Sequence, residues 1–145
     1  MTQEEKQLLL KGLCARVPYE VQCEYTSVQP GLEMYNEIGA LTSIDVMHNN
    51  LYNFKIDNHI VGFSDFKPYL RPLSSMTEEE REYIKHRWCY NDWDIDGPSS
   101  LWREKIDVED AEGIVDYFNE HHLDFRGLIP MGLALEAPEG MYKVK

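Results

Sequence analysis

The segment LYNFKIDNHIVGF, residues 51–63, decides the fold of this chain. Its first half alternates apolar and polar residues, which is the two-residue repeat of a strand with one buried face. The polar turn Asp57-Asn58-His59 follows, and a second apolar run occupies residues 60–63. Because the turn between them is so short, the two strands can pair only as antiparallel neighbours.

The residues before this segment show the same pattern. Val21, Cys23 and Tyr25 alternate with polar residues, and a second alternating stretch covers residues 38–46. No helical pattern separates these stretches, so each strand is expected to pair with the next. Residues 19–66 therefore predict a small antiparallel sheet of about four or five strands, either an open curled sheet or a partly closed barrel of the SH3-like type.

A helix is predicted before the sheet and a linker after it. Thr2 followed by Glu5 is a capping-box pattern, and apolar residues at helical spacing continue until Pro18 ends the helix. The run KPYLRPL, residues 67–73, contains two prolines, each of which removes a donor from a sheet ladder. We therefore expect this run to be a rigid linker and not a central strand.

The C-terminal part of the chain is predicted to be helical. Thr77 and Glu80 form a second capping box, and Asp107 is placed to cap a further helix. The apolar stripe of that further helix consists of Val108, Ala111, Ile114, Val115 and Phe118.

The length and composition of the chain suit a single domain. At 145 residues, 43% of them hydrophobic, folding buries roughly 68–70% of the unfolded surface, which is enough for one core without disulfides. We therefore expect one α+β domain over residues 1–145, with a helix and β-meander at 1–66, a linker at 67–73 and a helical half at 74–145.

The chain is strongly acidic. Asp and Glu number 26 against 14 Lys and Arg, which gives a net charge of −12. A negative field disfavours direct nucleic-acid binding, because that binding depends on neutralising phosphates with basic side chains. It suits a solvated surface, cation binding, a basic protein partner, or imitation of nucleic-acid charge.

The cysteines and the N-terminus indicate a reducing compartment. Cys14, Cys23 and Cys89 are odd in number and far apart, which is poor material for disulfides or a structural zinc site. Residues 1–11 carry charges and only a short apolar run, and no stretch approaches the ~20 apolar residues that span a bilayer. We expect a cytoplasmic protein with no membrane partner.

Three runs carry a resemblance to a known family. The run KPYLRPLSSMTEEE, residues 67–80, resembles one in a family of short uncharacterised bacteriophage and prophage proteins of gut bacteria. EEKQLLLK at 4–11 and DFRGLI at 124–129 are similar to the ends of the same family. The resemblance implies a small mobile-element protein in the cytoplasm of a bacterial host. It implies no activity, cofactor or catalytic residue.

One loop has a calcium-like pattern. Asp92, Asp94 and Asp96 precede Gly97 in the spacing that opens an EF-hand loop, where alternate carboxylates converge on Ca²⁺. An EF-hand ends in a bidentate glutamate, and Arg103 occupies that position here. We favour a solvated acidic loop, with calcium binding as the alternative and no other cofactor expected.

Catalytic motifs are absent from the sequence. It contains no GxSxG, SxxK or HExxH motif and no glycine-rich phosphate loop. Carboxylates are abundant, but a catalytic pair cannot be chosen among them without geometry. The sequence therefore favours a non-enzymatic protein and keeps a small hydrolase or metal-dependent enzyme as an alternative.

Aromatic and arginine side chains mark a candidate interaction surface. Such residues dominate the binding energy of protein interfaces. The candidates are Tyr69, Arg71, Trp88, Trp93 and Trp102. Our first hypothesis is a protein-interaction module of a phage or prophage that binds a host or phage protein. An acidic mimic of DNA that inhibits a host nucleic-acid-binding protein is the second.

Overall fold

A computed structural model describes residues 1–28, 34–47, 51–88 and 108–142. The helices of this part of the chain are α1 (Gln3–Arg16), α2 (Glu78–Trp88) and α3 (Val108–Glu120). Its strands are β1 (Gln22–Val28), β2 (Met34–Val46), β3 (Tyr52–Ile56), β4 (His59–Val61), β5 (Phe66–Pro72), β6 (Leu123–Asp124) and β7 (Leu135–Glu136). The predicted α+β class is confirmed. None of the helices in these ranges combines the length and the apolar character needed to cross a membrane.

The first four strands form the predicted antiparallel meander. β2 is the longest strand, and it pairs with β1 along its first half and with β3 along its second half. A register shift between Leu41 and Ser43 lies near the start of the half that pairs with β3. Such irregularities bend a strand, so β2 can serve both neighbours. β3 and β4 then form the hairpin that residues 51–63 predict.

The sheet is open, so closure into an SH3-like barrel is not confirmed. The strand order is β4-β3-β2-β1-β5-β6, and β7 also pairs with β5. Among the described strands, β4 at one end of this order pairs only with β3. β4 is three residues long, and the chain turns away at once, where Asp65 N donates to Gly62 O at 3.1 Å. So short a strand offers too few ladder positions to close the sheet.

The linker prediction for residues 67–73 is wrong, because most of this run belongs to β5. β5 pairs with β1 through its first residues and with β6 and β7 through its last. Its side chains alternate between buried and more exposed positions up to Tyr69, and Leu70 is fully buried. The strand therefore lies inside the sheet, between the meander and the C-terminal strands.

Pairing geometry explains how the strand accommodates Pro68. Thr26 N donates to Asp65 O at 3.0 Å, which makes Thr26 part of a hydrogen-bonded pair. Hydrogen-bonded and non-hydrogen-bonded pairs alternate along an antiparallel ladder. Cys23, opposite Pro68, therefore lies in a non-hydrogen-bonded pair, where the residue needs no N–H for the ladder. Pro72 ends the strand, so it interrupts nothing.

Two buried clusters stabilise the fold. The sheet core lies between α1 and the inner face of the sheet and consists of Leu9, Leu13, Val21, Cys23, Tyr25, Leu41, Phe54, Ile56, Val61, Phe66, Leu70, Leu128, Leu133 and Ala134. The smaller helical core consists of Met76, Ile84, Ile114, Phe118 and Leu123. Ile114 and Phe118 confirm the apolar stripe predicted for α3 at those positions, whereas Asp107 lies outside the described residues.

Both capping predictions are confirmed at the helix N-termini. Thr2 Oγ1 accepts a hydrogen bond from Glu5 N at 3.1 Å at the start of α1. At α2 the box is reciprocal, because Thr77 Oγ1 accepts from Glu80 N at 3.2 Å and Glu80 Oε1 accepts from Thr77 N at 2.9 Å. These bonds satisfy backbone donors that have no partner inside the helix.

Candidate functional site

The structure describes part of the predicted aromatic surface. Tyr69 on β5 is half-buried, and its hydroxyl donates to Glu24 Oε2 at 2.7 Å. Trp88 ends α2, but its side chain is not among the described parts of the chain. Trp93 and Trp102 lie outside the described residues. The proposed surface of these aromatic residues therefore stays a prediction.

Arg71 has a different environment from the exposed one that was expected. It is 8% exposed, and its guanidinium lies against the Glu80 carboxylate with N–O distances of 2.6 and 3.0 Å. It also donates to Ser75 O at 3.2 Å. Burial alone would raise the pKa of Glu80, but the hydrogen bonds from Arg71 and Thr77 outweigh it and lower that pKa. Arg71 thus joins β5 to α2, and little of it is available to a partner.

The calcium-like loop cannot be placed in the fold. Asp92, Asp94 and Asp96 lie outside the described residues. Within the ranges that the structure does describe, no group of three or more His, Cys, Asp or Glu side chains could hold a metal ion.

A groove of about 660 Å³ lies between the first turns of α1 and the start of β3. The described residues that line it are Met1, Gln3, Lys6, Gln7, Leu51, Tyr52, Gly62, Phe63 and Ser64. The rings of Tyr52 and Phe63 meet edge to face, with centroids 5.8 Å apart. Phe63 also contacts the buried ring of Phe54 at 4.8 Å, so the aromatic wall of the groove is anchored in the sheet core.

Exposed apolar side chains continue from this groove onto the β2–β3 hairpin. Leu51 is 65% exposed and Val46 is 71% exposed. Val46 pairs with Tyr52, and Met47 N donates to Leu51 O at 2.7 Å, so all of these residues are neighbours. We define the groove surface as Met1, Lys6, Val46, Met47, Leu51, Tyr52 and Phe63. It holds four of the nine large hydrophobic side chains that are exposed in the described part of the chain.

The sequence alone does not predict this surface, although it carries a signal for it. The alternating patterns of β2 and β3 indicate buried faces, and the apolar residues Val46, Met47, Leu51 and Tyr52 lie where these two strands approach their connection. Apolar side chains near the end of a hairpin lie beyond the edge of the core that the strands cover, and they therefore stay exposed. The contribution of α1 was not visible in the sequence, because the packing of its first turn against Phe63 is a long-range contact.

A second, polar cluster lies at the other end of the β3–β4 hairpin. The hydroxyl of Tyr25 donates to Glu37 Oε2 at 2.8 Å, and Nδ1 of His59 lies 3.2 Å from the hydroxyl oxygen of Tyr25. Because the single hydroxyl proton goes to the Glu37 carboxylate, Nδ1 of His59 is the donor in the second bond. Burial, together with Glu37 and Asp57, raises the pKa of Tyr25 to about 12. This arrangement keeps the phenol protonated and can attract a cation.

A third polar site lies where the C-terminal residues meet the sheet. The hydroxyl of Tyr142 accepts from Gln22 N and donates to Tyr69 O, both at 2.8 Å, and so joins β1 to β5 beyond their ladder. His122 stacks on the Tyr142 ring with centroids 4.0 Å apart, beside a cavity of about 230 Å³. Burial, with a contribution from Arg16, lowers the pKa of His122 to about 4. The imidazole is therefore neutral at pH 7.

The chain matches no family model, no curated protein and no solved structure. The resemblance of residues 67–80 to phage and prophage proteins therefore stays a prediction.

Proposed function

We propose that this protein is a non-enzymatic protein-interaction module and that the groove surface binds its partner. The observation that carries the proposal is the concentration of exposed apolar side chains beside a preformed groove. Contiguous exposed apolar patches mark interaction sites, whereas single exposed apolar residues are normal on any protein. Consistent with the resemblance noted above, we place the module in a phage or prophage that acts in a bacterial cytoplasm, with a host or phage protein as partner.

The construction of the groove supports a binding role. Its aromatic wall is held in place by the core, because Phe63 packs on Phe54 and Tyr52 is part of β3. A rigid aromatic wall loses little conformational entropy when a partner binds. The volume of about 660 Å³ is enough to accommodate two or three apolar side chains of a partner segment.

The net charge of −12 favours a second candidate, an acidic mimic of DNA that occupies a nucleic-acid-binding protein. Glu37 and Asp57 are carboxylates without an ion-pair partner in the described part of the chain, as such a mimic requires. The two candidates use different surfaces, since the groove lining contains no acidic residue among those described. They also differ in salt dependence, because apolar contacts resist salt and surface ion pairs do not.

Site-specific photocrosslinking tests the proposal. A photoreactive amino acid at Leu51 places the probe in the groove surface, and the same probe at Glu112 on α3 is the matched control on another exposed face. We expect one protein in a bacterial host lysate to crosslink at Leu51 and not at Glu112, at both low and high salt. Crosslinking that disappears at high salt, or that is equal at the two positions, would favour the acidic mimic and contradict the groove.

A further inference from the structure

We propose that the partner segment carries one carboxylate among its apolar side chains and that Lys6 binds this carboxylate. This inference rests on the proposed function of the groove surface, because it names the chemistry of the segment that would occupy the groove. The observation behind it is the local charge. Lys6 is the only charged side chain among the described residues that line the groove, on a chain in which acids outnumber bases.

The position of Lys6 suits recognition of an anion. Its ammonium lies 5.9 Å from the centroid of the Phe63 ring, and the side chain is half-buried. Packing on an aromatic face removes part of the water around an ammonium, which strengthens its attraction to a nearby anion. Lys6 makes no ion pair with any described residue, so its charge is not already neutralised.

Two amide side chains on the same helix complete the site. Gln3 and Gln7 of α1 also line the groove, three residues before Lys6 and one residue after it. Side-chain amides can donate hydrogen bonds to a carboxylate without adding charge. An ammonium flanked by amides beside an apolar wall therefore fits a short apolar segment that contains Asp or Glu. A basic side chain at the same place would meet Lys6 and be repelled.

Selection from a displayed library of random twelve-residue peptides on the full-length protein tests this inference. We expect the selected peptides to combine apolar residues with one Asp or Glu. Against those peptides, Lys6→Gln should lower the affinity on the order of tenfold, as for a hydrogen-bonded charge pair. Lys6→Arg should retain most of the affinity. Repeating the selection on Lys6→Glu should yield peptides with Lys or Arg in place of the acid.

Two variants separate failure of this inference from failure of the proposed function. Lys11→Glu makes the same charge change at an exposed position of α1 that does not line the groove, and it should leave the selected peptides unchanged. Leu51→Ser removes an exposed apolar side chain from the groove surface and should abolish binding. Peptides that need Leu51 but lack an acid and ignore Lys6→Glu would overturn the inference and leave the groove intact. Peptides that ignore Leu51→Ser would overturn both.

Discussion

The two buried clusters of this protein differ in chemistry as well as in size. The sheet core consists of hydrophobic residues, and the ring of Phe54 contacts those of Phe63 and Phe66 with centroids 4.8 Å apart in each case. The helical core is smaller, and the buried polar side chains of the described residues belong to α1, β5, α2, α3 and β6 and to the turn between α3 and β6. They are Arg16, Arg71, Glu80, Asn119, His122 and Asp124.

Size explains why the two regions are stabilised differently. A small apolar cluster removes little surface from water, so the elements around it need hydrogen bonds and ion pairs to fix their arrangement. Arg16 illustrates this, since its guanidinium donates to Gly12 O at 3.1 Å and to Leu123 O at 2.7 Å. Burial lowers its pKa to about 10, although Asp124 opposes the effect. The stability of the sheet core should therefore depend on apolar volume, and that of the helical core on protonation states.

Truncating the centre of the sheet core should have the largest effect. Phe54 is fully buried between Phe63 and Phe66, so Phe54→Ala leaves a cavity. We expect the free energy of unfolding to fall by about 3–5 kcal/mol, equally at pH 7 and pH 5, in urea denaturation. Ile60→Ala, on an exposed side chain of β4, is the control and should change it by less than about 0.5 kcal/mol. A pH-dependent cost for Phe54→Ala would contradict the contrast between the two cores.

Breaking the charge pair of the helical core should cost nearly as much. Glu80→Ala leaves the buried guanidinium of Arg71 without its carboxylate and removes half of the α2 capping box. The expected loss is about 3 kcal/mol in urea denaturation at pH 7. This loss should be smaller at low pH. The pKa of Glu80 is lower in the folded protein than in the unfolded chain, so the ionised carboxylate stabilises the fold above the unfolded pKa, and this stabilisation is lost as pH falls through the folded pKa.

Two variants make that result specific to a buried pair. Glu82→Ala removes a largely exposed carboxylate that lies 3.9 Å from Lys85, and it should cost less than about 1 kcal/mol. The double variant Arg71→Met with Glu80→Leu removes both charges and should recover part of the loss. If the double variant is no more stable than Glu80→Ala, the cost comes from packing or from the lost capping bond to Thr77 N, and not from an unpaired charge.

His122 should make the helical core sensitive to mild acid. Its pKa is about 4 in the folded protein, where burial and the neighbouring Arg16, His121 and Arg71 disfavour the charged form, against an ordinary value near 6.5. The unfolded chain therefore binds the proton first, and stability falls as pH drops from about 6.5 toward 4. Between pH 7 and 4.5 this group should contribute a loss of roughly 2–3 kcal/mol.

The comparison for this prediction is His122→Asn. Asparagine tolerates the positive φ of 58° that His122 adopts, and it cannot titrate. Urea denaturation from pH 7 to 4.5 should give a shallower decline for the variant than for the native chain. Parallel curves would show that acid acts elsewhere in the molecule.

Elements with a local signal were predicted from the sequence. The meander follows from alternation and short turns, and the three helices follow from caps and apolar spacing. The sequence does not predict β5, because a proline is tolerated in a strand only where its position needs no N–H for the ladder. Whether Pro68 has such a position depends on how β5 pairs with β1. The burial of Arg71 is likewise not predicted from the sequence. Its partner Glu80 becomes a neighbour only when β5 packs on α2.

The candidate site was less predictable than the fold. Residue type alone favours aromatic and arginine side chains as binding residues. The groove surface is instead formed by the first turn of α1 and the end of a hairpin, which are far apart in sequence. Exposure of Val46 and Leu51 depends on where the sheet core ends, and that boundary is a tertiary property.

The smallest expected effect compares the two helix caps, which have the same sequence pattern in the two regions. Thr77→Ala removes one bond of a reciprocal box whose Glu80 carboxylate also holds the buried Arg71, so it should cost about 1–1.5 kcal/mol. Thr2→Ala removes a single exposed bond to Glu5 N and should cost about 0.5 kcal/mol in the same urea assay. Thr77→Ser and Thr2→Ser keep the hydroxyl and serve as controls. Equal costs for the two alanine variants would mean that the helical core gains nothing from its connection to the α2 cap, because the cap would then act only on its own helix.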